Sequence, residues 1–141
     1  MPTVQYSYSF PYRSVSPIGL QPALEVELIY GAKRVRTIGI LDSGSSFTVF
    51  NPELAEILGV GDVTAGRPLR ARTLGGPIDF YSFDLEMEIR LGNRRDRFPS
   101  QIGFFVSRMA RNILGRNLLF AHYEIGFRES RQLFYLRRDE G

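Results

Sequence analysis

The sequence predicts an all-β fold, a closed β-barrel or sandwich carrying two short helices. Three observations lead there. "ALEVELIY" at 23–30 alternates apolar and charged residues, and Phe83 to Leu91 does so over a longer run. Gly- and Pro-containing turns cut the rest of the chain into short segments, with no internal repeat. At 141 residues the chain is most simply one domain, with residues 22–141 as its body and residues 1–21 as an N-terminal arm.

In chain order, "VQYSYSF" before Pro11 and Pro17 reads as an edge strand or arm followed by an irregular connection. In the next strand Leu24, Val26, Leu28 and Tyr30 share one face, and Glu25 and Glu27 share the other. "GAK" at 31–33 turns the chain, and "RVRTIGIL" returns as a second strand that delivers Asp42 to its end. "FTVF" is a short buried strand. Asn51 is placed to cap a helix with Pro52 at its first position and Gly59 at its stop, and Leu54, Ile57 and Leu58 form its apolar face. Residues 61–73 read as less regular, and "TLGGPI" at 73–78 has the composition of a hairpin tip. Ile78 and Phe80 lie on the parity opposite to Phe83 and its successors, which predicts a bulge near Tyr81 and Ser82. "QIGFFV" is a further strand, a small helix follows "NILGRN", and "YEIGF" and "QLFYLR" close the chain.

Composition narrows the chemistry. The chain has no cysteine, which removes disulfides, thiolate zinc sites and cysteine nucleophiles. Its single histidine, His122, leaves His-based metal clusters and a Ser-His-Asp triad without their parts, and it reads as a structural surface residue. No cofactor is expected. The net charge of +3 is spread over interleaved arginines and acids, unlike the clustered basic face of a nucleic-acid binder. "RRDR" at 94–97 and the terminal "RRDE" read as solvated turn and tail. No apolar stretch approaches the roughly 18 residues of a membrane span. The start, Met1 to Pro11, has no basic segment leading into an apolar run, so the cytoplasm is the expected location.

The stretch "GILDSGSSFTVF" at 39–50 carries the functional question. Taken alone, Asp42 is most simply a turn residue whose side chain bonds its own backbone. Yet the strand-delivered "LDSGSS", the "LGG" at 74–76 and the "ILGRN" at 113–117 occur in the order found in retropepsin-like aspartic proteases, and the chain resembles that family over roughly residues 22–137. The resemblance implies the acid-protease form of the all-β fold. It makes Asp42 the catalytic aspartate, Ser43 the hydroxyl that bonds across to a partner loop, and Gly44 the point of close backbone approach. Ser45 and Ser46 continue the substrate-facing loop, and Leu74, Gly75 and Gly76 correspond to a flap that closes over substrate. Ile113, Leu114 and Gly115 support the catalytic loop, and Arg116 and Asn117 open the last helix.

Such proteases need two carboxylates. Asp62, Asp79, Asp84, Asp96 and Asp139 are followed by Val63, Phe80, Leu85, Arg97 and Glu140, so none begins a second Asp-Ser/Thr-Gly loop. The resemblance therefore implies a homodimer acting on a peptide or protein substrate. Departures stand at Ser43, where threonine is commoner, at Ser46, where retroviral members often carry an aspartate, and at Pro77, directly after the flap glycines. They keep open a catalytically silent dimerisation or peptide-binding module, and a small barrel binding an apolar ligand remains a third reading.

Overall fold

The computed structural model describes residues 8–73, 76–109 and 111–139. Strands β1 (Tyr8–Pro11), β2 (Arg13–Val15), β3 (Gly19–Gln21), β4 (Ala23–Tyr30), β5 (Lys33–Leu41) and β6 (Val49–Phe50) precede helix α1 (Pro52–Leu58). Strands β7 (Arg67–Thr73), β8 (Gly76–Leu91), β9 (Arg94–Phe105) and β10 (Asn112–Leu114) follow. Helix α2 (Leu119–His122) and strands β11 (Tyr123–Arg128) and β12 (Leu133–Arg138) close the chain. The all-β class and the two short helices are as the sequence predicts. Residues 67–73, which read as irregular, form a strand because β8 supplies a paired neighbour along their whole length.

Seven strands join in the order β4-β5-β10-β6-β9-β8-β7, and β4 also pairs with β8, so the sheet closes on itself. A second sheet, β1-β12-β11, packs Phe10, Tyr12 and Phe134 against the core. The interior holds Leu28, Phe50, Met87, Ile102, Phe104, Leu114 and Phe134 with almost no solvent exposure. Each such side chain contributes about 1.5–3 kcal/mol by burial. Along β4, Leu24, Val26 and Leu28 point inward, and Glu27 points outward to Arg34 at 3.0 Å. Tyr30, expected on the apolar face, stands 41% exposed just before the Gly31 turn, beyond the end of the core.

Strand β8 carries two apolar faces in succession. Phe80 packs with Val49 and Phe105, whereas Leu85, Met87, Ile89 and Leu91 enter the main core. The bulge predicted near Tyr81 and Ser82 is absent: pairing with β9 runs unbroken from Phe80↔Phe105 to Leu91↔Arg94. The change of parity arises because the strand is covered first on one side and then on the other. A long strand in a curled sheet can do this without slipping register.

Helix α1 also departs from its expected face. Ala55 is fully buried beside Leu54 and Leu58, and Ile57 is 54% exposed. The small Ala55 lets the helix lie close against the sheet, which turns Ile57 to solvent. Gly59, at φ 72, terminates the helix in the left-handed conformation that favours glycine. Asn51 occupies the cap position but makes no side-chain cap bond.

The two arginine-rich stretches enter strands rather than a turn and a tail; Arg94, Arg95 and Arg97 remain exposed, and Asp96 is the buried exception. "RRDR" opens β9, and its Asp96 is only 7% exposed. Asp96 accepts hydrogen bonds from the Tyr123 hydroxyl, from Arg94 Nε at 2.8 Å and from Arg138 Nη1 at 3.4 Å. In the terminal stretch Arg138 lies over the rings of Phe98 and Tyr123. His122 is half-buried, stacked on Phe98 at 4.1 Å between centroids, rather than on the open surface. Among the described residues no helix is long and apolar enough to cross a membrane.

Candidate active site

Strand β5 runs parallel to β10, with Ile40 beside Ile113 and Leu41 beside Leu114. The next residue continues the pairing: the Asp42 N–H donates to Leu114 O at 3.0 Å. The chain then turns sharply, with the Gly44 N–H donating to Asp42 Oδ1 at 2.9 Å and the Ser45 N–H to Asp42 O at 3.1 Å. Asp42 is thus a turn-forming aspartate in its local bonding. Its Oδ2 takes no hydrogen bond among the described residues.

The loop is locked from below. Ser45 Oγ donates to Phe47 O at 2.7 Å, and the Arg116 N–H reaches Ser45 O at 2.9 Å. Thr48, buried among apolar neighbours, donates from Oγ1 to Asn117 Oδ1 at 2.7 Å and accepts from the Gly115 N–H at 3.1 Å. Asn117 Nδ2 in turn donates to Gln101 O at 3.3 Å. Gly115 is required by space: a Cβ there would stand 2.1 Å from Phe47 O and 2.8 Å from Ser45 O. Arg116 Nη2 donates to Ser46 Oγ at 2.8 Å. That contact ties the arginine to the loop through a neutral hydroxyl.

Above the loop lies a cleft of about 740 Å³, walled by Asp42, Gly44, Ser45 and Ser46 on one side and by β7 and β8 on another. Its floor is apolar, formed by Val49, Phe80 and Phe105 with Phe47, Ile78 and Ile113. Asp42 is the one carboxylate among the described residues that line it. Ser43 belongs to the same loop and is exposed to solvent. Leu114 is fully buried beneath the loop, and Arg116 and Asn117 lie in the turn that leads into α2. At the β7–β8 hairpin, Thr73 pairs with Gly76, and Pro77 sits opposite Arg72. Leu74 and Gly75, expected at the tip, lie outside the described residues.

Sequence reasoning missed three contributors. Thr48 was visible only as a hydroxyl inside the apolar "FTVF". Its meaning comes from Asn117 and Gly115, far along the chain. Asn51 reads as a helix cap, yet its Oδ1 accepts from the Met109 N–H at 2.6 Å and so anchors a loop at the cleft edge. Arg111 lines the cleft from that loop, and nothing in its local sequence signals this. Among the described residues no group of three or more carboxylates and histidines is arranged to hold a metal ion.

The chain matches the aspartyl protease family over residues 29–118. Among curated proteins no sequence matches it. The matched segment runs from the end of β4 to the turn before α2, and so contains the Asp42 loop, the β7–β8 hairpin and the Gly115 support that the structure brings together. On that match, the chain belongs to the aspartyl protease family.

Proposed function

We propose that the chain is an aspartic endopeptidase active as a homodimer, with Asp42 of each subunit supplying one of two catalytic carboxylates. One observation carries this reading. Asp42 stands in the wall of a large, apolar-floored cleft and is the single carboxylate among the described lining residues. A two-fold axis beside the loop supplies the second from an identical chain.

Two carboxylates about 3 Å apart cannot both ionise, so they share a proton and lose their two protons in separate steps. The charged member takes a proton from a water molecule as that water attacks the scissile carbonyl. The neutral member gives its proton to the carbonyl oxygen. Neither a metal nor a covalent intermediate is needed. Strand β7 supports an extended substrate, because it is an edge of the seven-stranded sheet and offers backbone groups for strand addition.

The test is incubation with an unfolded protein across pH 3 to 7, alongside Asp42→Asn. Cleavage by the wild type alone is expected, with specific activity rising with protein concentration because monomers lack a complete site. Equal cleavage by both proteins would refute the assignment.

A further inference from the structure

The cleft carries a charge that its own walls do not neutralise. Arg70 and Arg72 line the cleft from β7 on either side of Ala71; Arg70 pairs with Asp79 at 2.7 Å, and Arg72 has no carboxylate partner among the described residues. Arg108, on the loop after β9, pairs with Glu53 at 3.7 Å, and Arg116 is bonded to Ser46. Arg111, like Arg72, differs. It lines the cleft from the wall opposite β7, is exposed, and has no carboxylate partner among the described residues.

Its place is also fixed. On one side of it the Met109 N–H is held by Asn51 Oδ1 at 2.6 Å. On the other, Asn112 Oδ1 accepts from the Asn51 N–H at 2.8 Å and from Asn51 Nδ2 at 3.1 Å, while Asn112 Nδ2 donates to Thr37 Oγ1 and Ile38 O, each at 3.0 Å. An arginine whose flanking backbone is held in this way presents a forked donor beside an apolar floor. A carboxylate bound there gains a charge-assisted, two-pronged hydrogen bond.

We infer that Arg111 is a specificity-determining residue that selects substrates bearing a glutamate or aspartate close to the scissile bond, next to a bulky apolar side chain that fills the floor. This rests on the protease reading for the identity of the substrate, but the charge argument stands on the cleft alone. The test uses fluorogenic peptides that differ only by Glu, Gln or Lys at each position near the scissile bond, assayed at about pH 5.5, where a glutamate is ionised. The wild type is expected to cleave the best Glu peptide with kcat/KM about tenfold or more above its Gln counterpart. Arg111→Gln should abolish that preference, and Arg111→Glu should transfer it to the Lys peptide, with melting temperatures unchanged in both.

A wild type indifferent to Glu at every position, or a preference that survives Arg111→Gln, would overturn the inference. If no peptide is cleaved, the protease reading fails, and the same peptides are bound to Asp42→Asn and to Asp42→Asn with Arg111→Gln, read by fluorescence anisotropy. Tighter binding of the Glu peptide that depends on Arg111 then sustains the inference without turnover. Equal or absent binding overturns it.

Discussion

Replacing Gly115 with alanine is the most direct test of how the Asp42 loop is held. The added Cβ would lie 2.1 Å from Phe47 O, 2.6 Å from Phe47 C and 2.8 Å from Ser45 O, all backbone atoms that cannot swing aside as a side chain would. Real Cβ contacts essentially never fall below 3.0 Å, so β10 and the loop must part by about 1 Å. Three hydrogen bonds cross that gap: Gly115 N–H to Thr48 Oγ1, Arg116 N–H to Ser45 O, and Asp42 N–H to Leu114 O. At roughly 1 kcal/mol each, with the desolvation of groups left unpaired, Gly115→Ala should destabilise by about 3–4 kcal/mol. For a chain of this size that lowers the melting temperature by about 10–15 °C. Thermal unfolding by circular dichroism, at one protein concentration, measures it. Gly44→Ala is the matched control, because its Cβ would meet only Asp42 Oδ1, at 3.2 Å. The end of a side chain can give way, so within the chain this variant should be destabilised less than Gly115→Ala, yet lose turnover about tenfold as the Gly44–Asp42 bond is disturbed. A Gly115→Ala protein that melts within about 3 °C of wild type, or a Gly44→Ala protein that is the less stable of the two, would refute the packing argument.

Three further outcomes follow from the same geometry. Thr48→Val keeps volume but strands the Gly115 N–H and Asn117 Oδ1, and should cost about 2–3 kcal/mol in urea unfolding. Asp96→Asn removes a buried charge from the Tyr123, Arg94 and Arg138 contacts. Because both arginines remain partly exposed and can rehydrate, the loss should sit near 2–3 kcal/mol at neutral pH, below the roughly 3–5 of a fully buried pair. Ile57→Lys should change stability by less than about 0.5 kcal/mol in the same urea assay, since Ile57 faces water.

The alternating strands, the glycine stop of α1 and the order of "LDSGSS" and "ILGRN" are local signals, and the sequence carries them openly. Ile57 was misplaced because a helix of two turns leaves the apolar direction undetermined to within one residue. Close approach to the sheet then favours the smaller Ala55. Asp96 was misread because arginine-rich runs are usually solvated. What buries it is Tyr123 and Arg138, which the topology brings from the far end of the chain. Arg111 was invisible for the same reason. Its significance lies in its place on the cleft with no ion-pair partner among the described residues, and that appears only when β7, β8 and the loop after β9 surround one space. Asp42 satisfies both readings of its turn: the Asx-type bond that looked like the simple alternative is how the loop holds the carboxylate.

The acid limit expected of the proposed activity follows from groups outside the site. Burial pushes the Asp96 carboxyl upward, but hydrogen bonds from Tyr123 and Arg94 and the charges of Arg94 and Arg138 outweigh it and leave the group below its ordinary value. Its stabilisation is therefore complete above the unfolded carboxylate range near 3.9 and is lost as pH falls through the lower folded value. His122 lies below the ordinary histidine value because burial, and then Arg138, disfavour its charged form, with Asp96 opposing. Its contribution is complete above about 6.5 and declines as pH falls toward the folded value. Both groups brace the same place, where β9 meets α2 and β11, and both weaken in acid. Lowering the pH thus loosens the scaffold, and the acid limb of kcat/KM is expected to coincide with loss of the folded circular dichroism signal. In Asp96→Asn that limb should begin at higher pH, because the variant starts with less stability. An acid limb that appears while the signal is intact and is unmoved by Asp96→Asn would show that the carboxylate pair itself sets the limit.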